Sequence, residues 1–341
     1  MKETPPISQY RRALPGMEKE SSLIFFTTWE LSIKVLDVDM EHGGELENIL
    51  TLFAFLYPVS IREGLFRHDI GDGKLAKSPM AIFEENGEWS HDKFERAVIC
   101  MQDHSLIQFS RQREDEIVIS LHSMVSEWLR LLLEKGALST TLKTVASHLE
   151  IYLKSAEMDY IKRQEALLHI DGICRIASGE TCDIVDFYLA FGEFYAEHGR
   201  LEVAERLYNH SLAEYEEKLG VEHISTLDTV NNLGNLYASQ ESLEDAEEMY
   251  DRALAGREEA LGAEHTSTLE TVNNLGILDR NQGRLEEAED MYDRALAGKE
   301  KALGTEHTST LDTVNNLGIL FGVSQIRKKC TTVRSLGNRR H

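Results

Sequence analysis

Cysteine and proline are scarce in this chain, 4 and 5 among 341 residues. The cysteines stand at 100, 174, 182 and 330 and form no CxxC pair. That excludes a disulfide framework and a zinc ribbon, and it suits reduced thiols in a cytoplasmic protein. So few prolines, with 23 glycines, exclude collagen-like or long disordered stretches. Apolar runs such as Ile49 to Val59 are far too short to span a bilayer, so no membrane partner is expected. The opening Met-Lys-Glu-Thr-Pro-Pro lacks the apolar core of a signal peptide. A G-x-x-x-x-G-K-[ST] loop is missing throughout, so nothing is expected to cradle a nucleotide's phosphates. No Ser/His/Asp or Cys/His combination is brought together by spacing. The expectation is a chain that is not an enzyme, with no catalytic residue, no metal and no cofactor.

Basic charge is the other shortage. Lys and Arg number 36 against 59 Asp and Glu, a net of −23. The imbalance is concentrated in residues 181–322, which hold 10 basic and 30 acidic residues, a net of −20. Residues 323–341 reverse it, with six basic residues and no acid. Such a body repels phosphate backbones, so nucleic acid is not an expected partner and a basic peptide or protein is.

What is abundant is self-similarity. Three blocks align without a gap: GVEHISTLDTVNNLGNLY from Gly220, GAEHTSTLETVNNLGILD from Gly262 and GTEHTSTLDTVNNLGILF from Gly304, each 42 residues after the last. Between them lie LEDAEEMYDRALAGREEAL and LEEAEDMYDRALAGKEKAL, and a fainter copy precedes them at Phe187 to Tyr195 and LEVAERLYNHSLAEYEEKL. Each unit reads as two helices. Ser225-Thr-Leu-Asp228 and Ser267-Thr-Leu-Glu270 have the form of a capping box and predict the start of the first helix. Leu227, Val230, Gly234 and Tyr237 then recur on one stripe. The second helix begins near Leu243, with Ala246, Tyr250, Ala253 and Leu254 on its inner face. Small residues let the pair approach, and large ones, Leu233 and Tyr250, fill the seam between units. One unit cannot bury both faces, so the units must stack into a solenoid.

The spacing Leu233-Gly234, Tyr237, Ala246, Tyr250, Ala253 resembles the tetratricopeptide signature. The 42-residue period and the G-x-E-H…N-N-L-G wording are similar to the kinesin-light-chain variety, over residues 183–321. Asp279 departs from it, standing where Tyr237 stands one unit earlier, and the expectation is that it turns outward or that the packing loosens locally, because a buried carboxylate is costly. The resemblance implies that the first helix of each unit lines a concave groove. It places Asp228, Asn231 and Asn235, then Glu270, Asn273 and Ile277, then Asp312, Asn315 and Ile319 on that groove. Amides can pair with an extended peptide backbone, and the carboxylates favour Lys or Arg in it. His223, His265 and His307, one per unit, are read as loop-packing residues spread too far apart to share an ion.

Residues 23–135 follow a different grammar. Helices are expected at Trp29 to Leu36, Leu46 to Leu56 and Ile61 to Phe66, then a loop from Gly71 to Pro79 and a helix from Asp92 to Met101. Ser105 to Phe109 and Glu116 to Leu121 alternate like a hairpin, and His122 to Leu133 is another helix. That is a winged-helix outline. TTWELS, Ile49 to Leu56 and Leu121-His-Ser-Met-Val-Ser-Glu-Trp128 resemble the end of the switch region in fungal receptors of the NB-ARC class. The resemblance implies that His122 matches a histidine sensing nucleotide phosphate, here a vestigial sensor at a helix start, with Met1 lying just upstream of the winged helix as if the switch were cut away.

The expected fold is therefore mainly α. A lead-in (1–22) precedes a winged-helix-like domain with one small β-hairpin (23–135) and a helical spacer (136–182). An α-solenoid of tetratricopeptide helix pairs follows (183–321), then a basic, disordered tail (322–341). The last first-helix lacks its partner, leaving a stripe of Leu311, Val314 and Leu317 open to self-association. The functional expectation is a protein-interaction module, a truncated receptor-like protein. A DNA-binding regulator that uses the winged helix is the alternative, disfavoured because Arg62 and Arg67 are too few to offset the chain's charge.

Overall fold

A computed structural model describes residues 27–35, 43–67, 78–112, 115–155, 158–180 and 184–337, of which 43, 44, 179, 180 and 323–337 by backbone alone. The lead-in to residue 22, most of the loop that starts at Gly71, and Cys182 lie outside the described residues. The chain divides into two compact units, Met1–Phe187 and Tyr188–His341.

The first unit opens with helix α1 (27–35) and α2 (Gly43–Phe55). The apolar run predicted as a helix at Leu46 to Leu56 is almost entirely buried, with Ile49, Leu50, Phe53 and Phe55 wholly so. The expected helix at Ile61 to Phe66 does not form. Ile61–Arg62 is a short strand, β1, followed by a 3₁₀ turn at Glu63–Leu65. Ser60, at φ 66°, breaks the approach, and the freed backbone pairs antiparallel with the later strand β5, Ile61 opposite Ile119. Pro79–Phe83 is another 3₁₀ turn, started by the Ser78 hydroxyl, which accepts from the Met80 amide at 3.2 Å.

Next comes a hairpin the sequence reading lacks, β2 (Glu84–Glu85) and β3 (Glu88–Trp89). It turns on Asn86 and Gly87, both at positive φ, the Asn-Gly pair that two-residue hairpin turns favour. It lays Trp89 beside Phe83 and Phe94, ring centres 5.1 to 5.6 Å apart. Helix α3 (His91–Asp103) leads to the predicted hairpin, β4 (Gln108–Arg111) and β5 (Ile117–Ser120). The sheet order β1-β5-β4 puts the apolar strand β5 in the middle.

Helices α4 (Ser123–Leu131), α5 (Lys135–Leu153) and α6 (Tyr160–Glu180) complete the first unit. The stretch read as a spacer thus packs with the N-terminal core. Leu142, Val145 and Leu149 are wholly buried. Arg62, 6 % exposed, holds Glu116 on one side and Glu165 of α6 on the other. His169 of α6 is also buried. Its Nδ1 accepts from the Tyr57 amide at 3.1 Å and its Nε2 lies 3.3 Å from the Ser60 carbonyl oxygen. Burial drives its pKa down to about 4, with Arg62 adding to the effect.

Repeats occupy the second unit: α7 (Val185–Glu197) and α8 (Leu201–Lys218), α9 (Ile224–Ser239) and α10 (Leu243–Leu261), α11 (Thr266–Gln282) and α12 (Leu285–Leu303), then α13 (Thr308–Gly337). In each pair a glycine of the first helix faces a tyrosine of the second. A Cβ on Gly192, Gly234 or Gly276 would stand 2.4, 2.7 or 2.8 Å from the ring of Tyr208, Tyr250 or Tyr292. The same tyrosine reaches the next unit, since Tyr250 and Ala246 pack on Leu275 and Leu278.

The helix starts differ from the predicted capping boxes. The N-caps are His223 and His265, whose Nδ1 accepts from the amide two residues on at 3.2 Å, and His307 makes the same bond to Ser309. Ser225 and Ser267 lie inside the helices. The loop before each cap needs a glycine at φ 91–95° (Gly220, Gly262, Gly304), whose carbonyl accepts from Thr226, Thr268 or Thr310.

One further expectation is corrected. Asp279 does not turn outward; it is 6 % exposed. Arg284 donates to it through Nε at 2.8 Å and bridges to Glu247 of the preceding unit, also at 2.8 Å. Burial still holds the Asp279 carboxyl above its ordinary range. One unit earlier the same two positions are Tyr237 and Ser242, so a buried acid and its arginine have entered together. After Gly322 the backbone is described as far as Gly337 and is helical. Gly199 and Gly283 turn the chain after α7 and α11 at positive φ, and Glu241 does so after α9. The matching residue is Gln325, with no second-helix pattern behind it to hold a turn, so the helix runs on.

Two outcomes are expected. His169 has a folded pKa below its unfolded value of about 6.5, so its contribution is present above that pH and is lost as pH falls toward 4. Urea titrations should show about 3 kcal/mol less stability at the acid end, and His169→Gln should remove that part of the slope. Arg284→Ala should cost about 2 kcal/mol by leaving a buried carboxylate short of its donor, and adding Asp279→Tyr should recover most of it, as a thermodynamic cycle will show.

Candidate functional site

Successive residues on a helix point 100° apart, so in the wording N-N-L-G only one asparagine of each pair can face solvent beside the acidic position. The second one does. Asn232, Asn274 and Asn316 are half-buried, whereas Asn231 and Asn273 are 4 % and 7 % exposed. The outward residues of the first helices are then Asp228, Asn232 and Asn235 on α9, Glu270, Asn274 and Ile277 on α11, and Asp312, Asn316 and Ile319 on α13.

These amides reach back along the stack. Asn232 donates to Glu193 of α7 at 2.8 Å, Asn274 donates to Asn235 at 3.1 Å, and Asn316 donates to Asn273 at 3.2 Å. Asn235 also accepts from the Tyr250 hydroxyl at 2.6 Å, so the ring that fills the seam ends at the exposed face. The side-chain carbonyls of Asn232, Asn274 and Asn316 have no protein partner among the described residues.

Asn231 and Asn273 lie in the seams between units. Thr271 of α11 donates to Asn231 at 3.1 Å and accepts from Arg257 at 2.7 Å. Arg257, 3 % exposed on α10, also donates to the Ser267 carbonyl at 2.7 Å and to Asp228 at 2.6 Å. Of the carboxylates assigned to the groove, Asp228 is therefore already neutralised. One unit on, Lys299 replaces Arg257. Its amine lies 3.3 Å from the Ser309 carbonyl and 3.1 Å from Thr313, and among the described residues it makes no hydrogen bond to a carboxylate. Burial lowers its pKa, and Glu270 and Asp312 nearby oppose that shift. Glu270 and Asp312 stay exposed.

The face is thus graded. Its early part offers amides tied into a ladder, and its later part offers two exposed carboxylates beside Ile277 and Ile319, the latter 45 % exposed. Asn315, expected on the groove, is exposed on α13 at the position that matches the buried Asn231 and Asn273. Residues that the sequence reading missed are Asn232, Asn274, Asn316, Arg257 and Lys299. A signal existed for the last two: a basic residue after glycine in ALAGREEAL and ALAGKEKAL, inside acidic helices. His122 is the exposed N-cap of α4, accepting from the Met124 amide at 3.3 Å. Among the described residues no group of three or more His, Cys, Asp or Glu could hold a metal ion. None of their helices is long and apolar enough to cross a membrane.

Comparison with known families identifies the tetratricopeptide repeat at residues 183–259, 228–301 and 267–324. Residues 183–324 are therefore tetratricopeptide repeats, a fold that typically serves as a non-enzymatic scaffold for protein–protein contacts. No curated protein sequence matches the chain significantly. Among solved structures the chain is similar to BtubC (BKLC) from P. vanneervenii, at 22% identity over 58% of this chain and 77% of that one, TM-score 0.41. A Podospora anserina kinesin light chain with nearly identical TPR-like repeats gives 19% identity over 60% and 94%, TM-score 0.45. A Pyrococcus horikoshii signal-transduction ATPase with a tetratricopeptide sensor gives 13% identity over 95% and 57%, TM-score 0.29.

The buried and outward asparagines separate in one experiment. Asn231→Ala strips a seam hydrogen bond and should cost about 1 to 2 kcal/mol in urea unfolding. Asn232→Ala should stay within about 0.5 kcal/mol, as surface changes do.

Proposed function

We propose that the second unit binds an extended, basic segment of a partner protein along the outward face of α9, α11 and α13. The observation that supports this most is the pair Glu270 and Asp312, left exposed without hydrogen-bond partners among the described residues, where Asp228 one unit earlier is neutralised. A Lys or Arg of the ligand fits between them, and an aliphatic neighbour fits against Ile277 and Ile319. The unpaired carbonyls of Asn232, Asn274 and Asn316 suit the amides of an extended backbone, which gives affinity without demanding particular side chains. Net charge of −20 over residues 181–322 adds steering toward cationic partners.

For the first unit, the reading is a relay domain like the winged helix that ends the switch of NB-ARC receptors. Its support is the order α2, β1, α3, then the hairpin β4 and β5, with β5 central in the sheet. This makes the chain a receptor-like interaction protein in which the repeats sense and the first unit relays. Nothing favours duplex DNA as its ligand. On α3, the helix such a domain would insert, Lys93 and Arg96 are offset by Asp92, Glu95 and Asp103.

Selection from a displayed random peptide library against the full chain provides the test. Enriched peptides should carry Lys or Arg beside an aliphatic residue. Their affinity should fall about tenfold in Glu270→Ala/Asp312→Ala, an effect on the order of 1.4 kcal/mol, and weaken with salt. Enriched peptides without basic residues, or affinity untouched by the double variant, would sink the proposal.

A further inference from the structure

Leu311, Val314, Gly318 and Phe321 lie at i, i+3, i+7 and i+10 on α13, forming one stripe. In the two preceding units the residues matching Leu311 and Val314 are sealed: Leu227 and Leu269 are 1 % and 0 % exposed, Val230 and Val272 wholly buried. On α13, Leu311, Val314 and Phe321 are 47 %, 46 % and 49 % exposed. The glycines tell the same story. A tyrosine ring crowds Gly192, Gly234 and Gly276, but nothing lies within 4 Å of a Cβ on Gly318. Leu317, which the sequence reading placed on this stripe, is instead 8 % exposed and packs back on Tyr292 with Leu320. The open stripe is therefore the first-helix half of an interface that the chain itself builds with α8, α10 and α12. With the backbone helical to Gly337, residues 323–337 continue α13 and leave 311–321 open.

We propose that this stripe is the seat of a second copy of the chain, two α13 helices packing antiparallel about a two-fold axis. The stripe is complementary to itself in that arrangement. With the axis near residue 316, Val314 faces the open Gly318 of the other copy, and Leu311 faces its Phe321. A branched side chain thus meets a glycine, and the aromatic ring meets the leucine. An interface of this kind uses one patch twice and closes at two chains. Charge selects the orientation. The sequence after Val323 carries Arg327, Lys328, Lys329 and Arg334 with no acid, while residues 181–322 are strongly acidic. Antiparallel pairing lays this basic stretch along the start of the other copy's α13 and its acidic repeats; parallel pairing sets like charges side by side. The helix spans 30 residues, about 45 Å at 1.5 Å per residue, enough length for a lasting contact.

Sedimentation equilibrium of the full chain tests this directly. Wild type should approach twice the 38.7 kDa of one chain as concentration rises. Val314→Asp and Phe321→Asp, at exposed positions, should keep the wild-type circular dichroism and sediment as single chains. Gly318→Leu has open space within one chain and should also fold, yet it should block the pair by holding the helices apart. Wild type at single-chain mass throughout, or a dimer that survives all three variants, overturns the proposal. None of these residues belongs to the outward face with Glu270 and Asp312, so peptide binding and pairing can fail separately.

Discussion

Within every complete repeat the two helices cross so closely that a methyl group on the first would strike the tyrosine of the second. Gly192 with Tyr208, Gly234 with Tyr250 and Gly276 with Tyr292 make this contact. Most of the second unit depends on it. Glycine is unfavourable in a helix interior by about 1 kcal/mol relative to alanine, so the close approach must return more than that through the ring it admits. The ring also spans the seam, since Tyr250 packs on Leu275 and Leu278 of the next unit. Its hydroxyl then emerges at Asn235 on the outward face. One contact thus sets the pairing within a unit, the stacking between units and part of the surface offered to a ligand. Where it is missing, at Gly318, an apolar stripe lies open.

Small substitutions tune this framework without disturbing it. Arginine and lysine differ in reach and in the number of donors they present. With Arg257 in the seam, Asp228 is captured and the face loses a charge. With Lys299 in the matching seam, the amine serves a carbonyl and a threonine, and the carboxylates beside it remain outside. Asp279 and Arg284 show the same economy, a buried acid tolerated because its arginine arrived five residues later and reaches across to Glu247. Near-identical repeats can in this way present different faces.

The first unit is built on other terms. Its centre contains charged groups held by specific partners: Arg62 by two carboxylates, and Glu63 by the Trp89 indole at 2.7 Å and the His91 ring at 2.9 Å. These bonds join the 3₁₀ turn after β1 to the small hairpin and to α6. Such matched networks specify one arrangement of elements, since breaking a single member leaves a buried charge exposed to its full desolvation cost.

The 42-residue period, the paired helices, their boundaries to within a few residues and the acidic character were all legible in the sequence. They rest on local chemistry: glycines at loop starts, apolar spacing of three and four, and a repeat that cannot bury its faces alone. Three things were not legible. The choice between Asn231 and Asn232 as the outward amide depends on how neighbouring helices cross, because adjacent helical residues differ only by 100° of direction. The strand at Ile61–Arg62 depends on β5, more than fifty residues away, offering an edge to pair with. The burial of Asp279 depends on Arg284, which Glu247 of the preceding unit, 32 residues upstream of Asp279, holds in place. In each case the deciding energy comes from groups distant in the chain. The repeats and their helices were therefore determined by the sequence alone, while the identity of the exposed surface was decided by tertiary packing.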